Sequence, residues 1–300
     1  MRATRRRVGA LAAAVTLLLT AACGGGSGGG SGGSGDRSGG ADSATDSPTS
    51  VTAPQAPAGV ALPPANGQFD YQIGGPYEPD ASVQVVDRDR SVDPVPGRYN
   101  ICYVNAFQSQ PDEKAFWFDQ HPDLLLRIDG EPVMDPGWPG EYIFDLTTAA
   151  KRSAIATIVG GWIEQCATDG FQAVEPDNLD AWTRSKGGYG QEQALAFAAM
   201  LTATAHAAGL AIGQKNTGEL GTAGRDAGFD FAVAEECELY EECGDYTDVY
   251  GGLVYEIEYT DNPESAYTDA CADHGATIAV ILRDREVVPR GDPDYLYRAC

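Results

Sequence analysis

GFQAVEPDNLD, residues 170–180, runs from an apolar lead-in into three carboxylates and an amide: Glu175, Asp177, Asn178 and Asp180. In an extended backbone successive side chains alternate between faces, so Ala173, Glu175 and Asp177 share one face, with Val174 and Pro176 on the other. Two carboxylates on one face of an otherwise buried strand repel each other. Such an end is tolerable where it opens on a cavity that supplies a counter-charge.

Runs of the same kind recur along the chain. SVQVVD (82–87), YNICYVN (99–105), EYIFD (141–145), LAIGQKN (210–216), FDFAVAEE (229–236), LVYEIEY (253–259) and ATIAVILRD (276–284), with FQAVEPDN (171–178), make eight predicted strands. Between them TTAAKRSAIATIVGGWIEQCA and QEQALAFAAMLTATAHAAGL carry apolar residues at helical spacing, the second stopping at Gly209. Eight strands alternating with helices predict an α/β fold, a (β/α)8 TIM barrel, rather than an open doubly wound sheet. In such barrels the loops leaving the carboxyl ends of the strands converge on one face, where function sits. The expected strands end at Asp87, Asn105, Asp145, Asp177, Asn216, Glu235, Glu258 and Asp284, all of them polar. The same alternation groups Glu256 with Glu258, leaving Tyr255 and Ile257 to face the helices. Glu175, Asp177, Glu256 and Glu258 are thus expected in one cavity with Lys215 and Glu235. Crowded carboxyls cannot all ionise, so one is held protonated while one beside Lys215 stays charged, the pairing that glycosidic cleavage requires.

The chain has 300 residues and a formal net charge of −24. It opens with MRATRRRVGALAAAVTLLLTAAC, where Arg2, Arg5, Arg6 and Arg7 precede an apolar core too short to span a bilayer comfortably. This predicts an export signal over 1–22, through the general secretory or the twin-arginine route, with LTAAC resembling a lipobox and Cys23 as the lipidated residue. Residues 23–66, rich in Gly, Ser and Pro, predict a flexible tether, and 67–300 the barrel domain. Export places the protein on the outer face of the cell membrane, anchored through Cys23, or free outside. Six further cysteines in an exported chain predict disulfides. The nearest pair, Cys237 with Cys243, is expected first, then Cys271 with Cys300 and Cys102 with Cys166. Loss of the four signal arginines makes the charge more negative still, which disfavours nucleic acid and favours cationic ligands.

YQIGG, ICYVN, WPGEYIFD, GFQAVEPDNLD, GQKN, FDFAVAEEC with ELYEEC, and EIEY, in that order, resemble the successive motifs of glycoside hydrolase family 114, the endo-α-1,4-polygalactosaminidases. The resemblance spans about Phe69 to Asp284. It implies a TIM-barrel hydrolase for α-1,4-linked galactosamine polymers, retaining, without a cofactor, with Asp177 as nucleophile and Glu235 as acid/base. It places Asp87, Tyr103, Asp145, Lys215, Asn216 and Glu258 around the sugar, with Glu175, Asn178 and Tyr259 beside them. The chain departs from the family pattern at Ala234 and Glu236, where Asn and Gln are more usual; an extra acid at 236 would tend to raise the pKa of Glu235. De-acetylated galactosamine is a polycation, so an acid-lined cleft suits it, with Glu175, Glu258 or Asp180 as the expected ammonium partner. Trp138, Trp182, Tyr189 and Tyr259 are candidate stacking faces.

Competing classes fit less well. No metal site is expected, because His121, His206 and His274 fall away from strand ends. The same histidines argue against a serine hydrolase, which needs a base beside its nucleophile. A non-catalytic carbohydrate-binding lipoprotein on the same barrel remains the alternative, and a structural surface protein leaves the acidic strand ends unexplained. A monomer is expected.

Overall fold

The computed structural model describes residues 57–300; the expected signal, Cys23 and the tether through residue 56 lie outside the described residues. Its strands are β1 (Phe69–Tyr71), β2 (Val85–Asp89), β3 (Tyr99–Asn105), a two-strand hairpin β4 (Arg127–Ile128) and β5 (Glu131–Pro132), β6 (Ala173–Asp177), β7 (Ala211–Lys215), β8 (Phe231–Glu235), β9 (Val254–Tyr259), β10 (Ala279–Arg283) and β11 (Tyr297–Ala299). Parallel pairing runs β1, β2, β3, β6, β7, β8, β9, β10, and β11 adds on antiparallel to β10. These eight parallel strands form a nearly closed TIM barrel.

The expected number of strands is met with one exchange of members. EYIFD is not a barrel strand; its Tyr142, Ile143 and Phe144 make isolated antiparallel bridges to Met134, Gln108 and Leu125 within the long segment between β3 and the first helix. Its apolar run reflects burial of Ile143 and Phe144 in that segment. The first barrel strand is Phe69–Tyr71, three residues long and so too short to show a period.

Helix α1 (Ala149–Asp169) starts where the Thr148 hydroxyl accepts from the Lys151 N–H at 3.2 Å and stops at Gly170, whose φ of 97° only glycine adopts without strain. Helix α2 (Gln191–Ala207) follows β6, and α3 (Thr222–Asp226), α4 (Cys243–Tyr250) and α5 (Glu264–Asp273) follow β7, β8 and β9. Disulfides join Cys102 of β3 to Cys166 of α1, Cys237 to Cys243 across the loop entering α4, and Cys271 of α5 to Cys300.

The barrel interior is layered. At the base the rings of Phe69, Phe231 and Tyr255 pack together, with centroids 5.2 Å apart for Phe69–Tyr255 and 6.1 Å for Phe231–Tyr255. Gly213 on β7 makes room for them, since a Cβ there would sit 2.6 Å from the Phe231 ring. Above lies a buried polar layer of Tyr71, Asp87, Glu175 and Lys215, and above that the open rim. The seam between β1 and β10 is filled by Arg283, fully buried, which donates to the Tyr71 carbonyl, to Val288 O at 3.0 Å and to Leu296 O at 2.9 Å.

The described part of the expected tether makes contacts of its own. Residues 57–66 pack on the barrel base: Tyr99 and Tyr255 donate to Ala61 O and Pro64 O, each at 2.7 Å, and Asn66 N bonds Gly252 O at 3.0 Å. Val60, Leu62 and buried Pro63 do this within a stretch whose average composition hides them. Among the described residues no helix is long and apolar enough to cross a membrane.

Candidate active site

Three consecutive barrel strands deliver the site, each ending on a functional side chain followed by a left-handed residue. Asp177 ends β6 and precedes Asn178 (φ 65°), Lys215 ends β7 and precedes Asn216 (φ 48°) and Thr217 (φ 67°), and Glu235 ends β8 and precedes Glu236 (φ 62°). Positive φ costs a non-glycine residue about 1–2 kcal/mol, least for Asn. The backbone thus turns sharply as it leaves each strand, and the last inward side chain stays aimed at the axis while the next is thrown aside.

Lys215 is the hub. It is only 2% exposed, and its Nζ lies 2.8 Å from Glu175 Oε1, 3.2 Å from Asp177 Oδ1 and 3.3 Å from Glu235 Oε2. It also donates to the Tyr71 hydroxyl at 3.0 Å, and Tyr71 donates to Glu175 Oε1 at 3.2 Å. Burial works against the ammonium, but Asp177, Glu175 and Glu235 outweigh it and hold its pKa well above the usual lysine value. Burial likewise opposes ionisation of Asp177. Against it act Lys215, the Tyr103 hydroxyl at 2.6 Å and the Asn178 N–H, which together hold the Asp177 carboxyl below its ordinary value. Glu235 accepts from Asn216 Nδ2 at 3.0 Å and from the Tyr259 hydroxyl, while its own N–H donates to Asn216 Oδ1 at 2.8 Å. One side chain therefore fixes the Glu235 backbone and carboxyl together.

Beneath this rim lies Asp87. Fully buried, it is pushed well above the carboxyl range, first by burial and then by the charge of Glu175. Neither of its oxygens has a hydrogen-bond partner.

Above Lys215 opens a cleft of about 380 Å³. Of the residues expected at the site, Tyr103, Asp177, Asn178, Lys215, Asn216, Glu235 and Tyr259 line it. Glu175 and Asp87 lie one layer below, supporting Lys215 rather than meeting a ligand. Two expectations are overturned. Asp145 stands at the start of α1, bound to Thr147 and Lys151, away from the rim, because EYIFD is not a barrel strand. Glu256 and Glu258 point outward, because β9 turns Tyr255 and Tyr259 inside: Tyr255 packs on Phe69, and Tyr259 reaches Glu235. The two glutamates sit instead under residues 237–243, where Glu256 Oε1 accepts from Glu238 N at 3.2 Å and Glu258 Oε1 from Glu238 N at 3.2 Å and Leu239 N at 3.3 Å. Among the described residues neither glutamate forms an ion pair; burial and then Glu258 push Glu256 up to about 9, so the pair shares a proton.

Of the expected ammonium partners, Glu175 belongs to Lys215 and Glu258 is outside, while Asp180 lines the cleft paired with Arg184, which also binds Asp135 at 2.6 Å. The added acid Glu236 is taken by Arg285 and Asn262. Sequence reasoning missed Tyr71, in a strand too short to detect, Arg184 and Arg285, which reach the cleft from loops without periodicity, and Glu141, at the start of EYIFD, whose strand reading singled out Asp145 instead. Of the aromatics considered for stacking, Trp138 presents an open face to the cleft, at 57% exposed; Tyr189 and Tyr259 are buried.

The model of glycoside-hydrolase family GH114 matches residues 49–300. No curated protein matches the chain. Among solved structures it is similar to Ega3 of Aspergillus fumigatus, solved in complex with galactosamine, at 22% identity and a TM-score of 0.63 over 80% of this chain and 98% of that one. It is similar also to the glycoside hydrolase domain of PelA from Pseudomonas aeruginosa, at 13% identity and a TM-score of 0.51 over 77% of this chain and 97% of that one. These likenesses bear on the barrel alone. The match across the whole barrel carries the assignment: the chain belongs to glycoside-hydrolase family GH114 and is a glycoside hydrolase.

Proposed function

We propose that the protein cleaves α-1,4-linked galactosamine polymers internally and with retention of configuration, Asp177 acting as nucleophile and Glu235 as general acid and base. The observation that carries this reading is the single buried ammonium of Lys215 within 3.2 Å of Asp177 and 3.3 Å of Glu235. The two carboxyl oxygens that share it can be no farther apart than those lengths laid end to end. This fits the separation of about 5–5.5 Å of a retaining pair and lies below most of the roughly 6.5–9.5 Å range of an inverting one.

The electrostatics support a change of role between the two steps. Asp177, kept ionised, attacks the anomeric carbon while Glu235 passes its proton to the departing glycosidic oxygen. Once Asp177 is esterified its charge is gone, and Lys215 is left to Glu175 and Glu235. Glu235 then takes a proton from the water that releases the sugar. The Tyr259 hydroxyl can donate or accept, so it stays bonded to Glu235 in either state.

Internal cleavage is supported by the cleft's length. A cavity of about 340 Å³ adjoins it through Ile73 and Glu141, and one of about 250 Å³ adjoins it through Asp180, Asn216, Glu235 and Glu236. Six carboxylates against three cations in the central cleft support a cationic sugar chain. Export and a lipid anchor at Cys23 belong to the same reading, and three disulfides agree with an oxidising compartment.

Incubation with partially de-acetylated α-1,4-linked galactosamine polymer tests it. New reducing ends released as oligosaccharides, with the α anomer appearing first by proton NMR, are expected. Release of monosaccharide alone, or of the β anomer first, would overturn the internal or the retaining part respectively.

A further inference from the structure

Of the carboxylates lining the cleft, Asp135 and Asp180 are paired with Arg184, Asp177 and Glu235 with Lys215, and Glu236 with Arg285. Among the described residues Glu141 alone in that lining has no cationic partner. Its Oε2 is gripped by two amides, Asn105 Nδ2 at 2.9 Å and Gln108 Nε2 at 2.6 Å, while Oε1 has none. The grip fixes the carboxylate without neutralising it. Burial raises its pKa, the two amides lower it, and the nearby charges of Asp177 and Asp135 raise it again, with a net rise. A carboxylate held rigid, partly desolvated and uncompensated is a costly arrangement that an arriving cation relieves.

Its position fits that role. Asn105 passes the contact on through its Oδ1, which accepts from Asn178 Nδ2 at 3.0 Å, and Asn178 follows the nucleophile. Glu141 is therefore two side chains from the reacting centre. It also stands on the boundary between the central cleft and the adjoining 340 Å³ cavity, whose lining contains Asp89 and Asp112 and no cation. The loop that carries it is tight, with Asp135 N bonding Glu141 O at 2.9 Å and Glu141 N bonding Trp138 O at 3.1 Å. It brings the open face of Trp138 to the same wall.

We infer that Glu141 is the specificity-determining residue of a subsite next to the point of cleavage, receiving the 2-ammonium of a galactosamine unit whose ring lies against Trp138. This rests on the proposed substrate class, so its test reads binding rather than turnover. A de-acetylated α-1,4-galactosamine oligosaccharide and its fully N-acetylated counterpart are titrated calorimetrically, at low salt, into the Asp177→Asn chain and into the same chain carrying Glu141→Gln as well. Glu141→Gln keeps the two amide contacts within reach and removes only the charge. Loss of affinity for the de-acetylated oligosaccharide by about ten- to a hundredfold, the worth of one charge-assisted hydrogen bond, with the N-acetylated one unchanged, is the expected result. Equal losses for both ligands, or no loss for either, would overturn the assignment. If wild-type chain fails to cut the polymer while this difference in binding persists, the hydrolytic reading falls and the subsite stands.

Discussion

Glu175-Pro-Asp177 on β6 and Glu256-Ile-Glu258 on β9 are nearly the same sequence on two strands of one barrel, and the fold gives them opposite chemistry. On β6 the acids face inward, where both pair with Lys215 and Asp177 is held ionised. On β9 they face outward beneath residues 237–243, with no ion pair among the described residues, and settle the conflict by sharing a proton. Alternation decides only that two acids share a face; which face is inside, and whether a counter-charge waits there, decides whether they do chemistry or hold a loop.

The largest effect should separate the two pairs outright. Asp177→Asn or Glu235→Gln should lower kcat by about three orders of magnitude or more, with circular dichroism and melting unchanged. Glu256→Gln should leave kcat within about tenfold, because it replaces a protonated carboxyl by an amide of the same shape. Comparable losses from all three would dissolve the contrast.

Removing the counter-charge comes next. Lys215→Met leaves Glu175 buried without its partner, and breaking such a pair costs about 3–5 kcal/mol, readable by denaturant titration. It also withdraws the charge that keeps Asp177 ionised, so the acidic limb of the pH–rate profile should move to higher pH.

Stability against pH sharpens the comparison further, since the two pairs slope in opposite senses. Asp177, with its folded pKa lowered, contributes stability that is present above its ordinary value of 3.8 and is lost as pH falls through the lower folded value. Glu256 is neutral in the fold up to about 9 but ionises in the unfolded chain near 4.5, so its contribution is lost as pH rises between those values. The slope is at most roughly 1.4 kcal/mol per pH unit. Glu256→Gln should flatten this decline, and an unchanged slope would show that the proton is not shared there. The smallest effect is expected at Glu236, whose charge already belongs to Arg285. Glu236→Gln should change kcat/KM by less than about tenfold.

Much of this was legible in the residues. GFQAVEPDNLD, GQKN and FDFAVAEE each state their strand, its inward face and the polar residue at its end, and β6, β7 and β8 carry those side chains to one rim. EYIFD misled because burial in a loop segment imitates a buried strand, and with it Asp145 left the site. β9 misled by phase: large aromatics and acids alternate, and only the barrel shows that Tyr255 is needed on Phe69 and Phe231 inside. Glu141 was passed over because the strand reading of EYIFD put Asp145 at the rim in its place, and Arg184 because its role exists only through contacts made in the fold.

Azide rescue of an activated α-galactosaminide reads out the division of labour between Asp177 and Glu235 across Lys215. With azide, Asp177→Ala should regain turnover and yield the β-configured glycosyl azide, the small anion entering the face the nucleophile left, whereas Glu235→Ala should yield the α-configured azide from the side of the missing acid/base. An α-configured azide from Asp177→Ala, or wild-type turnover by that variant without azide, would contradict it.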